Sequence, residues 1–213
     1  MRHIVWDWNG TLFDDTLAVV AATNDALAPY GVGELTVDRW RELYSHPVWA
    51  CYERVLGRRL RDGEWERIDG AFHRAYGRHM TRCDLAAYAA ETLARWRSAG
   101  RTQSLLSMWW HDELLPCVER LGVRPAFVRV DGLRRPDGAG GPKAEHLVRH
   151  LAAIGIDPSE VTVVGDSVDD AVAAEHVGAR AVLYTGGTHS RRALQAVGVP
   201  VVDSLADAVH HAM

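Results

Sequence analysis

The sequence predicts an α/β fold, a Rossmann-like parallel sheet flanked by helices, and three observations carry that prediction. An apolar run, Ile4-Val5-Trp6, leads directly into Asp7 near the start of the chain. Short apolar strand-like segments then alternate with helix-like ones through the latter part, the pattern of a parallel sheet covered on both faces. Between the two lies a long stretch with helical periodicity and no strand-like run, a small helical cap inserted after the first strand. The expected division is an α/β core of residues 1–15 and 82–213, and a cap of residues 16–81.

Taken in order, the first strand ends at Asp7, and a helix starts at Asp14 or Asp15, either of which suits an N-cap. That helix runs to Pro29-Tyr30-Gly31, where Gly31 stops it. From Thr36 to about Met80, apolar residues such as Trp40, Leu43, Tyr52, Ile68 and Tyr76 recur at spacings near three and four. Beyond the cap, a helix is expected over 84–98, a strand over 102–107, a helix over 111–121 and a strand over 126–130. A helix over 143–154, a strand over 161–164, a helix over 169–177 and a strand over 179–184 follow. Residues 199–202 add a last short strand and 205–211 a last helix. The segment 131–142 is rich in Gly and Pro and reads as a mobile loop.

The 213 residues suit one such unit with an insertion. With 28 acidic and 24 basic residues the net charge is −4, so there is no basic surplus to favour nucleic acid. Cys51, Cys83 and Cys117 are scattered, without the close pairs of metal knuckles, and read as reduced core thiols. No run approaches the about 18 apolar residues of a membrane span, and no signal-peptide layout opens the chain, so the expected location is cytoplasmic. The lysine count is more telling: the other basic residues are all arginines, and the single lysine is Lys143. Arginine cannot replace lysine where a compact ammonium must sit between carboxylates and a phosphate.

Four strand ends offer polar residues to one rim: Asp7 and Thr11 after the first, Ser107 after the second, Lys143 past the third, and Asp166, Asp169 and Asp170 after the fourth. Asp7-Trp8-Asn9-Gly10-Thr11-Leu12, Leu105-Leu106-Ser107, Lys143 and Val164-Gly165-Asp166-Ser167-Val168-Asp169-Asp170 resemble, in order, the four motifs of the haloacid dehalogenase superfamily. The likeness spans essentially the whole chain and is greatest to phosphoglycolate-phosphatase-like members with a helical cap. It implies an Mg²⁺-dependent hydrolase of small phosphorylated metabolites that works through an aspartyl phosphate. Asp7 is then the nucleophile, and Asp7, the carbonyl of Asn9, Asp166 and Asp170 are metal-site residues. Thr11, Ser107 and Lys143 bind phosphate, and Asp170 orients Lys143 or a metal-bound water. Asp169 reads as structural, since the family spacing favours the later acid.

Chemistry supports each assignment. Splitting a slow phosphate-ester hydrolysis through a carboxylate nucleophile lowers its barrier. Hydroxyls, backbone N–H groups and a lysine can stabilise the charge on the transferring oxygens. A dehalogenase would not need the Lys143, Asp166 and Asp170 set, and a phosphonate hydrolase would want a cap lysine, which is absent.

Asn9 is the departure. The family's phosphatases carry there a second aspartate that protonates the leaving oxygen, and asparagine is neither acid nor base. Loss of such help typically costs about 10²- to 10⁴-fold. Three possibilities follow: slow turnover favouring good leaving groups, a stand-in group such as His46 or Asp14, or a protein that binds a phosphometabolite and rarely turns over. His46 and His111 could face the site, although each reads first as structural. His146, His150, His210 and His211 read as surface residues. Tyr44, His46, Trp49, Tyr52 and Arg54 suggest a partly aromatic, partly cationic lid, while Trp109 and Trp110 line the entrance or simply pack. A monomer or homodimer is compatible with this reading.

Overall fold

The computed structural model describes residues 2–45, 47–134 and 141–213. His46 and residues 135–140 of the Gly- and Pro-rich segment therefore lie outside the described residues. The chain forms two compact units, one of residues 1–14, 84–187 and 191–213, the other of residues 15–83 and 188–190.

The first unit is built on a parallel sheet. Its strands are β1 (His3–Trp6), β2 (Thr102–Trp110), β3 (Val130–Leu133), β4 (Val161–Gly165), β5 (Arg180–Tyr184) and β6 (Val201–Val202), in the order β3-β2-β1-β4-β5-β6. All neighbours pair in parallel, with Val5 opposite Ser104 on one side and Val163 on the other. Every residue of β1 and β4 is buried, which is why these strands read as continuous apolar runs rather than as alternation. Strand order reverses at β1, so the crevice outside the carboxyl ends of β1 and β4 is the topological switch point where such sheets bind ligands.

Helices α5 (Ala89–Ser98), α6 (His111–Arg120), α7 (Lys143–Ile154), α8 (Val168–Val177), α9 (Arg191–Gln195) and α10 (Leu205–Ala212) belong to the same unit. Leu147 and Leu151 of α7 join Ala171 and Ala174 of α8 and Val161 and Val163 of β4 in one apolar cluster. Ser167 caps α8, its N–H and hydroxyl both donating to Asp170 at 3.0 and 2.8 Å.

Several boundaries differ from the sequence expectations for identifiable reasons. Residues 84–88 are not helical: Leu85 bridges back to Phe13, and Tyr88 takes a left-handed φ of 60° just before α5. Strand β2 extends to Trp110 past a register shift against β3, so Ser107 lies within the strand rather than at its end. Pro125 sits in a short 3-10 turn, Arg124–Ala126, which delays β3 to Val130. Asp131 and Gly132 are consequently strand residues, not loop. Helix α9 had no expectation attached to it.

The second unit is helical: α1 (Thr16–Leu27), α2 (Val37–Leu43), α3 (Trp49–Leu56) and α4 (Glu64–His79). Its core joins Val20, Leu27, Trp40, Cys51, Tyr52 and Ile68. Tyr52, taken from the sequence as a lid residue, is 2% exposed and its ring lies 6.0 Å from that of Trp40 and 5.8 Å from that of Trp65. Asp15 precedes α1 without capping it. Its carboxylate instead accepts the Tyr76 hydroxyl at 2.5 Å, joining α4 to the start of α1. No helix among the described residues is long and apolar enough to cross a membrane.

Candidate active site

Asp7 follows directly on β1, held there by its N–H donating to the Val164 carbonyl at 2.8 Å. The chain then folds into a tight turn in which the N–H groups of Thr11 and Phe13 both donate to the Trp8 carbonyl, at 3.1 and 2.9 Å. Gly10 makes this turn possible twice over. Its φ is +71°, and a Cβ there would stand 2.7 Å from Asp166 Oδ2.

Lys143, the first residue of α7, reaches back to this turn. Its ammonium pairs with Asp7 Oδ1 and, at 2.5 Å, with Asp170 Oδ1. All three are buried: the Lys143 side chain is 7% exposed, that of Asp7 11% and that of Asp170 1%. Burial raises the Asp7 carboxyl to about 6 against the opposing pull of Lys143. Burial pulls the lysine downward, but Asp170 and Asp7 outweigh it and hold the ammonium above the ordinary lysine range.

Asp166 completes the acidic group. Asp7, Asp166 and Asp170 each offer a carboxylate oxygen within 4.8 Å of the others. Asp166 lies against bare backbone, where a Cβ on Gly187 would fall 1.7 Å from its Oδ2. This glycine-lined cradle and its all-oxygen donor set fit a hard divalent cation. Asp170 is placed differently from its two neighbours, because one of its oxygens meets Lys143 and the other accepts both bonds from Ser167.

The remaining sequence candidates fall as follows. The Thr11 hydroxyl donates to Asp166 Oδ1 at 3.3 Å. Ser107 accepts the Trp109 N–H at 3.0 Å and its hydroxyl points to Asn9 Oδ1 over a long 3.4 Å. Trp109 stacks on Phe13, which stacks on Trp8, at centroid separations of 6.5 and 5.5 Å. Asp169 is exposed. His111 is buried with both ring nitrogens engaged, Nδ1 by the Gly132 N–H at 3.3 Å and Nε2 by Arg134 at 2.9 Å. His46 lies outside the described residues. His150, read from the sequence as a surface residue, is a correction: it is 1% exposed and hydrogen-bonded on both nitrogens.

Sequence reasoning overlooked Gly165 and Gly187. A Cβ on Gly165 would sit 2.1 Å from the Asp170 carboxylate, so both glycines make room for site acids. The signal was present in the glycines that follow the apolar runs of β4 and β5, but which side chain they accommodate is visible only in three dimensions.

A doubly wound α/β sheet with a lysine-bridged pair of carboxylates at its switch point defines the class. Within it, the chain belongs to the haloacid dehalogenase-like hydrolases, whose family model matches residues 1–178. It is a hydrolase. It is 29% identical over 201 residues to the phosphoglycolate phosphatase of Synechococcus elongatus, covering 92% of this chain and 89% of that one. It is 25% identical over 187 residues to the N-acetylmuramic acid 6-phosphate phosphatase of Pseudomonas aeruginosa, covering 84% and 80%. A haloacid dehalogenase-like hydrolase from Streptococcus pneumoniae shares the fold with a TM-score of 0.83 at 15% identity, covering 100% of this chain and 99% of that one.

Proposed function

We propose that this hydrolase is an Mg²⁺-dependent phosphatase of small phosphorylated metabolites that works through an aspartyl phosphate on Asp7. The observation that carries the reading is the buried Lys143 ammonium shared between Asp7 and Asp170, with Asp166 close by. A carboxylate already charge-compensated by lysine can meet an anionic phosphate that would otherwise repel it.

Asp7 attacks phosphorus, and the bond to the ester oxygen breaks with the electron pair leaving on that oxygen. Water then cleaves the acyl phosphate, releasing inorganic phosphate and restoring Asp7. Lys143 holds charge on the transferring group, and Asp170 holds Lys143. Ser107 binds a phosphate oxygen, while Thr11 steadies Asp166. Asp7, Asp166 and the Asn9 carbonyl would hold Mg²⁺, which when bound neutralises charge between carboxylates and phosphate.

Asn9 determines the substrate preference within this scheme. With no acid at that position, leaving groups that depart without a proton, such as aryl and acyl phosphates, are turned over faster than alkyl phosphates. A second reading, a phosphometabolite-binding protein that rarely turns over, also rests on Asn9. The test is a metal-dependent screen of phosphate esters with graded leaving-group pKa, including phosphoglycolate and N-acetylmuramic acid 6-phosphate, for which the named relatives are phosphatases. Mg²⁺-dependent turnover rising as leaving-group pKa falls supports the enzyme. Saturable binding without turnover of any ester supports the second reading.

A further inference from the structure

Beneath the site, a chain of polar side chains crosses the buried side of the sheet. The Thr102 hydroxyl lies 2.8 Å from His3 Nδ1, and His3 Nε2 lies 2.8 Å from Ser104 Oγ. Ser104 Oγ is in turn 2.7 Å from His150 Nε2, and His150 Nδ1 is 2.7 Å from Asp131 Oδ2. His3, Ser104 and His150 are each no more than 1% exposed, so no substrate reaches them. The Ser-His-Asp succession is therefore not a nucleophilic triad. Its interest lies in where its hydrogens must be.

Asp131 is an acceptor only: burial opposes its charge, but bonds from His150 and Arg129 lower it to about 2. His150 Nδ1 must then carry a hydrogen. If His150 is neutral, its Nε2 needs a donor, which the Ser104 hydroxyl supplies. Ser104 can then only accept from His3 Nε2–H, leaving His3 Nδ1 to accept from Thr102. If His150 gains a proton, Nε2–H donates to Ser104, and the order that keeps the buried Ser104 hydrogen bonded is the reverse one: Ser104 donates to His3 Nε2, and His3 Nδ1–H donates to Thr102. Were both imidazoles protonated, Ser104 Oγ would accept from both and its own hydrogen would lose its ring-nitrogen partner, a cost in keeping with the low value of about 4 to which burial and His150 bring His3.

We propose that this chain is a one-proton switch whose direction reports the charge of His150, and that His150 is a positioning residue which seats α7, and through it Lys143, on the sheet. Lys143, Ala144, Leu147, His150 and Leu151 form the buried face of α7. The apolar members slide without much directional preference, whereas the two bonds of His150 fix both rotation and height. His150 lies seven residues, about 10 Å along the axis, from Lys143. Among the described residues, the charged groups around it are these. His3 faces it from β1, Asp131 from β3 with Arg129 just before that strand, and β2 presents the neutral Ser104. Helix α8 meets α7 through Ala171 and Ala174, while Glu175 and His176 are exposed. On α7 itself Glu145 and Arg149 are exposed, and His146 is bonded to Arg149.

The positioning half rests on the assignment of Lys143 above, whereas the switch is tested without substrate. Imidazole ¹⁵N shifts of the full chain, followed from pH 9 to 4.5, should show His3 changing from the Nε2–H to the Nδ1–H tautomer as His150 becomes doubly protonated. In Asp131→Asn, which keeps an acceptor but removes the charge, the reversal should move down by at least about one pH unit. A His3 tautomer that stays fixed while His150 titrates, or a His150 that does not titrate in this range, overturns the switch. For positioning, His150→Leu should lower kcat at least about tenfold and remove from the kcat–pH profile the limb that coincides with the tautomer change. A folded His150→Leu protein with the wild-type profile overturns that half, even if the phosphatase reading stands.

Discussion

Lys143 contributes a compact charge that two carboxylates share, and a planar guanidinium cannot occupy that space with the same contacts. Lys143→Arg is expected to lose at least about tenfold in kcat/KM, chiefly in kcat. Unchanged kinetics would remove Lys143 from the chemistry. Asp7→Asn should keep the fold and abolish turnover, and wild-type activity in that variant would exclude a covalent intermediate on Asp7. Asn9→Asp restores a proton donor, so turnover of alkyl phosphates should rise by about 10²- to 10⁴-fold while aryl phosphates change little. Because Asn9 precedes Gly10, intact-mass measurement must show that the wild-type preparation is not already deamidated. Equal gains on both substrate classes would mean that leaving-group protonation is not what Asn9 lacks.

At the scale of elements, the site depends on how closely backbone approaches the acids. Ala at Gly187 or Gly165 would put a methyl group 1.7 Å from Asp166 or 2.1 Å from Asp170, too close for either carboxylate to stay where it is. Gly187→Ala should therefore weaken Mg²⁺ binding, seen as a higher Mg²⁺ concentration for half-maximal activity. Gly165→Ala should lower kcat by disturbing the residue that holds Lys143, and wild-type kinetics in both variants would show that these strand ends yield freely. In the helical unit, Glu64 at the start of α4 receives two bonds from Arg58 and the Arg61 N–H. These partners lower Glu64 to about 2. A depressed acid stabilises above its unfolded value and loses that contribution as pH falls from about 4.5 toward 2. Glu64→Gln should flatten the decline of the unit's melting temperature across that window.

For the whole molecule, the sign of acid sensitivity follows from His3. Its folded value, about 4, is below the ordinary 6.5, so the unfolded chain takes up the proton first. Stability is therefore lost as pH falls from 6.5 through 4. The urea midpoint should drop over that interval, and drop less in His3→Asn; equal slopes would show that β1 tolerates a charged imidazole. Chelation should remove turnover and added Mg²⁺ restore it, and full activity after exhaustive chelation would overturn the metal assignment.

How much of this was legible depends on the range of the interaction. Alternation of buried strands with amphipathic helices is local, so the parallel sheet, the order of its elements and the acids at the strand ends could be read along the chain. Lys143 stood out because no other lysine competes with it. Segment boundaries failed where a local signal met a tertiary one, as at Leu85, which pairs with Phe13, and Pro125, which delays β3. His150 failed for the same reason: a histidine at helical spacing looks exposed until Ser104 and Asp131, 46 and 19 residues away, close on its two nitrogens. The sequence by itself determined the fold class and put forward the residues of a candidate site, because periodicity and motif order survive in one dimension. Only the tertiary structure decided that Asp170 serves Lys143, that Gly165 and Gly187 stand aside for the acids, and that two histidines are buried in one chain of bonds, because burial and hydrogen-bond partnership are made between segments far apart in sequence.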